Sequence, residues 1–142
     1  MALAAGAVLR RLSLCCGAVL CAAEVGAEGK APAPEFSVEM NFQSIMAQQL
    51  ADGCDMLAFD HAGYDRHFTA LIGKFDAQGI HSRNISEKFA QIDPERYRPH
   101  FSAFVTKYDL KEESPDGDFC DAGAAEAKRG TPIGQMLKVV AE

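Results

Sequence analysis

What this 142-residue chain lacks removes several classes of function. It has no tryptophan, so nine phenylalanines and three tyrosines supply all the aromatic bulk. No apolar run reaches the roughly 20 residues that a bilayer-spanning helix needs. No segment alternates apolar and polar residues for long enough to predict a strand, which argues against a sheet protein. No phosphate loop, nucleophile elbow, zinc motif or haem-attachment motif occurs, and no cofactor is expected. Positive charge is short as well, with 14 Lys and Arg against 20 Asp and Glu and a net charge of −6. An acidic surface of that kind argues against nucleic acid and anionic lipid as partners. The length suits one domain rather than two.

The N-terminus reads as an export signal. Residues 1–23 contain no acid and no amide. Arg10 and Arg11 supply positive charge, and an apolar run of about a dozen residues follows them, too short for a span. Cys21-Ala22-Ala23 ends it with small residues at −3 and −1 of a cleavage point. Val25-Gly26-Ala27 offers an alternative end. The apolar segment ahead of the arginines is long for an n-region, and a start near Val8 or Leu9 fits better. Arg10-Arg11-Leu12 half matches a twin-arginine signal, but the motif is incomplete and a Sec signal fits better. None of Cys15, Cys16 and Cys21 has the small preceding residue that a lipid anchor requires, so no membrane anchor is expected after cleavage. The expected location is periplasmic or secreted. Losing Arg10 and Arg11 with the signal takes the mature charge to −8. Residues 24–35, rich in Gly, Pro and Ala, read as a flexible leader, and the domain is expected over 36–142.

Two cysteines remain in the mature chain, Cys54 and Cys120. An even pair in an exported protein reads as one disulfide. The chain-entropy model assigns a loop of this length about 4 kcal/mol, a large share of a domain's stability. A redox or nucleophilic role fits less well. There is no Cys-x-x-Cys, and each cysteine sits beside an acid, Asp55 or Asp121, which raises a thiol pKa.

The periodicity is helical throughout. Phe42, Ile45, Met46, Gln49 and Leu50 share one face of a first helix, which Ser37 or Asn41 is placed to cap and Gly53 to end in the left-handed conformation. A second helix is predicted over 60–78 on Tyr64, Phe68, Leu71, Ile72 and Phe75, with Gly79-Ile80 as a Schellman end. Residues 82–110 are less regular. Asp93-Pro94 restarts a helix there, Phe101, Phe104, Val105 and Tyr108 fall on one apolar face, and Pro99 is expected to bend or split it. Asp118 caps a helix over 119–129 that Gly130 closes. Thr131-Pro132 starts a last one with Ile133, Leu137 and Val140 on one face. The expected fold is all-α, a small single-domain bundle of about five helices with one disulfide.

The run Phe119-Cys120, Gly123, Glu126, Ile133-Gly134 and Leu137 resembles the C-terminal signature of an uncharacterised family of small exported alphaproteobacterial proteins, a domain of unknown function. Cys54 at the end of the first helix and the Gly79 turn resemble that family too, while Asp55 stands where its pattern expects proline. The likeness covers about 20 residues closely and most of the mature chain loosely. It implies export and a disulfide, and it implies no activity.

Two groups of residues are candidates for chemistry. Asp60, His61, Asp65 and His67 cluster in sequence, the composition of a metal or acid–base site. The two histidines are six residues apart, about 600° of rotation, so they face different ways on a helix. The plainer reading is a solvated helix face. Glu126 lies among Gly123, Ala124, Ala125 and Ala127. It is either a site residue or, more simply, a cap or the ion-pair partner of Lys128, Arg129 or a neighbouring helix. The favoured function is a non-enzymatic binding or modulating protein acting on an envelope component. The alternative is a small metal-dependent or acid–base hydrolase using the Asp60–His67 cluster.

Overall fold

The computed structural model describes residues 32–140 except Glu112. The expected signal, both of its cleavage points and most of the leader lie outside those residues. The helical unit begins at Ala33. Ala33 itself is buried, so the packed domain starts slightly ahead of the expected boundary at 36.

Five α-helices and one two-stranded sheet make up the described fold. Helix α1 (Glu35–Gly53) runs through its centre. Strand β1 (Leu57–Phe59) and helix α2 (His61–Ala77) follow. Two short helices come next, α3 (Ile85–Ala90) and α4 (Arg98–Lys107), with a 3-10 turn between them at Pro94–Tyr97. Helix α5 (Asp116–Arg129), a 3-10 turn at Gly134–Met136 and strand β2 (Leu137–Val139) complete it. The main core joins Phe42, Met46, Leu50 and Leu57 to Phe104, Ala122, Met136 and Leu137. A second cluster packs Met40 of α1 against Leu71, Phe75 and Ile85. Phe75 and Met136 are fully buried, each stabilising the fold by roughly 2–3 kcal/mol in transfer terms.

Several helix ends follow the local code. Asp60 caps α2 by accepting the Ala62 N–H at 3.1 Å. At the other end of α2, Gly79 takes φ +72° and Ile80 N–H reaches back to the Phe75 carbonyl at 3.0 Å, which is the Schellman pattern. Asp93 caps the 3-10 turn through Glu95 N–H, with Pro94 in its first turn. Gly130 closes α5 in the left-handed conformation. Pro99 falls in the first turn of α4, where a missing N–H costs nothing, so the expected break becomes a helix start.

Other ends depart from expectation. Helix α1 starts after Pro34, and no side chain caps it. Ser37 hydrogen-bonds Pro34 O from inside the first turn, and Asn41 donates to the Tyr97 hydroxyl. Gly53 stays helical, and it is Cys54 that turns extended (φ −133°, ψ 111°) to lead into β1. Helix α5 begins at Asp116, ahead of Asp118. Ile45 and Phe101, placed on apolar faces by their spacing, are exposed at 39% and 44%.

The largest correction is at the C-terminus. No helix forms after Thr131-Pro132. The chain makes one 3-10 turn and then pairs antiparallel with β1, Leu57 opposite Val139 and Phe59 opposite Leu137. Met136 O accepts the Asp60 N–H, and Met56 O accepts the Val140 N–H, extending the ladder at both ends. Three-residue strands leave too little length for alternation to register. The β-branched pair Val139-Val140 favours the extended form once a partner strand is present.

Candidate functional site

Cys54 and Cys120 form the disulfide, joining the end of α1 to the first turns of α5. Their Cα atoms are 5.5 Å apart, the ordinary span of a bridge. The bridge holds α5 where its small residues meet the core. A Cβ on Gly123 would come within 2.6 Å of the Leu57 side chain. A Cβ on Gly134 would sit 1.9 Å from the Glu126 carbonyl oxygen, so only glycine lets the chain after Thr131 lie against α5.

Inside this junction lies Glu126, 2% exposed. Its Oε1 accepts Lys107 Nζ and the Tyr108 hydroxyl, each at 2.5 Å. Its Oε2 accepts the Thr131 hydroxyl, whose oxygen in turn accepts Gly134 N–H at 3.1 Å. One carboxylate thereby ties α4, α5 and the C-terminal turn together. Lys107 Nζ and the Arg129 guanidinium also lie over the Tyr108 ring, 5.1 and 5.8 Å from its centre. Burial works to raise the Glu126 pKa, but hydrogen bonds from Lys107, Thr131 and Tyr108 outweigh it and hold the carboxyl below its ordinary value. The Lys107 ammonium is pushed up, chiefly by its bond to Glu126. The Tyr108 hydroxyl is pushed up by burial and then by Glu126. These directions are the reverse of those that prepare a general base or a nucleophilic amine. The group is a structural knot, and its ion-pair partner is Lys107 rather than Lys128 or Arg129.

A second carboxylate cluster, which the sequence did not single out, ties down the start of α1. Glu35 accepts Arg96 at 2.9 Å and pairs with His100 Nε2 at 3.1 Å. Arg96 also donates to Ala33 O at 2.7 Å, and the His100 ring stacks on Phe42. The bond from Arg96, then that from His100, keeps the Glu35 carboxyl below its ordinary value. Partners more than 60 residues away in sequence give no local pattern to find.

The Asp60–His67 cluster disperses. Asp60 caps α2 and pairs with Lys138 of β2 at 3.0 Å, and the Lys138 bond lowers its pKa. The His61 ring is exposed and packs edge-on against Phe59. Asp65 is exposed. His67 turns to α1, its Nε2 2.9 Å from Met40 O. Among the described residues, no three His, Cys, Asp or Glu groups converge as a metal site.

Open concavity lies elsewhere. A cleft of about 330 Å³ separates α1 from α2, lined by Glu39 and Gln43 on one side, Arg66, His67 and Lys74 on the other, and Gln135 at the end. An apolar groove of about 270 Å³ runs between Met46, Leu50, Phe101 and Phe119.

Residues 33–138 match a family of unknown function (DUF5333), and the chain belongs to it. No curated protein and no solved structure matches the chain.

Proposed function

We propose that this protein is an exported, disulfide-clamped, non-enzymatic binding protein of the cell envelope. The observation that carries this reading is how its ionisable groups are used. Each described group with a displaced pKa is committed to an ion pair or hydrogen bond that holds two segments together. The cations left without hydrogen-bond or ion-pair partners include Arg66, in the α1–α2 cleft. Export is supported by the three-part N-terminal pattern, by a disulfide that oxidising compartments favour, and by likeness to small exported alphaproteobacterial proteins through Phe119, Cys120, Gly123, Glu126, Ile133, Gly134 and Leu137. The hydrolase alternative loses support because Asp60, His61 and His67 turn to separate neighbours and Asp65 is exposed.

Mass spectrometry of the protein purified from its host's envelope tests the reading. The expected result is a chain cleaved after Ala23 or Ala27, with Cys54 and Cys120 bridged and a specific partner or ligand co-purifying. An uncleaved chain with two free thiols counts decisively against export. Elemental analysis finding a stoichiometric metal revives the hydrolase.

A further inference from the structure

The α1–α2 cleft has the chemistry of a small zwitterion site. Two cations line it from α2, Arg66 and Lys74. Arg66 makes no hydrogen bond or ion pair among the described residues. Lys74 makes only a ring contact, its Nζ 5.8 Å from the centre of Phe36, which leaves its donors free. The other polar groups present acceptors. His67 Nε2 faces the Met40 carbonyl, which only accepts, so Nε2 donates there and Nδ1 has no partner among the described residues. Gln135 spends its amide N–H on Gly130 O, and Gln43 spends one on Glu39, leaving both amide oxygens unused. Glu39 adds a carboxylate beside them. Free cationic donors thus stand on one wall beside His67, and the free oxygens of Glu39, Gln43 and Gln135 stand on the opposite wall and at the end. The volume of about 330 Å³ falls at the small end of ligand sites.

We infer that this cleft binds a small zwitterion of the amino-acid or short-peptide class, its carboxylate on Arg66 and Lys74 and its ammonium on the Glu39, Gln43 and Gln135 side. The inference rests on the binding-protein reading above and names its ligand class. Arg66 supplies a planar fork matched to a carboxylate, and Lys74 supplies a point charge.

The test is an NMR titration of the oxidised full chain with L-alanyl-L-alanine, with acetate and methylammonium as single-charge controls. The dipeptide should give saturable shifts in the amides of Met40, Arg66, His67 and Gln135. Each control should bind about tenfold more weakly, since it meets only half of the site. Arg66→Gln should weaken the dipeptide about tenfold without moving the thermal unfolding midpoint, because Arg66 holds nothing else in the fold. Arg66→Lys should fall between the two. Absence of saturable shifts overturns the inference, as does acetate binding equal to the dipeptide or an unchanged affinity in Arg66→Gln. Release of free alanine during the titration overturns the non-enzymatic reading itself, which separates the two failures.

Discussion

Glu126 and Glu35 perform the same task in two different solvents. Each carboxylate holds a cation and a second group from a distant segment, and each has its pKa lowered by those bonds. The Glu126 side chain is 3% exposed and the Glu35 side chain 69%. At Glu35 water competes for every bond, salt screens the charges, and loss of the pair costs little. At Glu126 water is excluded, so removing the carboxylate strands the Tyr108 hydroxyl without a partner and leaves the Thr131 hydroxyl only the Glu126 backbone carbonyl, 3.5 Å away, to donate to. Identical chemistry is a latch in one place and a keystone in the other.

Experiments that break this comparison should act first on the C-terminal region. Replacing Cys54 and Cys120 together by alanine should lower stability by about 4 kcal/mol in urea unfolding, by the loop-entropy argument. A loss below about 1 kcal/mol would mean that the packing of α5 holds without the clamp. Gly134→Ala should cost about 3 kcal/mol, the upper end of overpacking, because the added carbon meets the Glu126 backbone rather than a side chain that can turn away. Glu126→Ala should cost about 2–3 kcal/mol. The figure stays below that of a fully buried pair because Lys107, 42% exposed, can turn to solvent.

The pH profile sharpens the contrast. The folded Glu126 pKa is lowered, so its contribution is complete above the unfolded value of about 4.3 and fades as pH falls through the folded one. The Lys107 and Tyr108 values are raised, so theirs is complete below about pH 10 and fades as pH rises through the folded values. Stability should therefore be flat between about pH 5 and 10, and Glu126→Ala should weaken both flanks. Persistence of the alkaline flank in Glu126→Ala would assign it to the burial of Tyr108 rather than to bonds with Glu126. The smallest effect belongs to Glu35→Ala, under about 1 kcal/mol and shrinking further in high salt. A cost equal to that of Glu126→Ala would end the distinction drawn from exposure.

Much of the helical fold was legible because its signals are local. The Gly79-Ile80 end, the Asp93-Pro94 start and the Gly130 stop each depend on residues within one turn, and each formed. Failures came where a distant partner decided. Val139 takes strand geometry because Leu57 lies opposite it. Ile45 and Phe101 face solvent although their spacing matches a buried stripe, because none of the described elements covers them fully. The Glu126 partner was legible only as a cation on some nearby segment, since nothing in sequence points from Glu126 to Lys107 and Tyr108. The Glu35–Arg96–His100 latch left no trace at all.

By itself, the sequence determined the helical class, several helix ends and the identity of the one cysteine pair, because periodicity, capping and parity are properties of short stretches or of simple counts. Tertiary structure alone decided that the last segment is a strand, that Glu126 is a keystone rather than a surface acid, and that Arg66 and Lys74 share a cleft with free acceptors. Those facts depend on which segments meet and on how much water remains between them. Charge and hydrogen-bond energies change severalfold with that water, and only a folded chain excludes it.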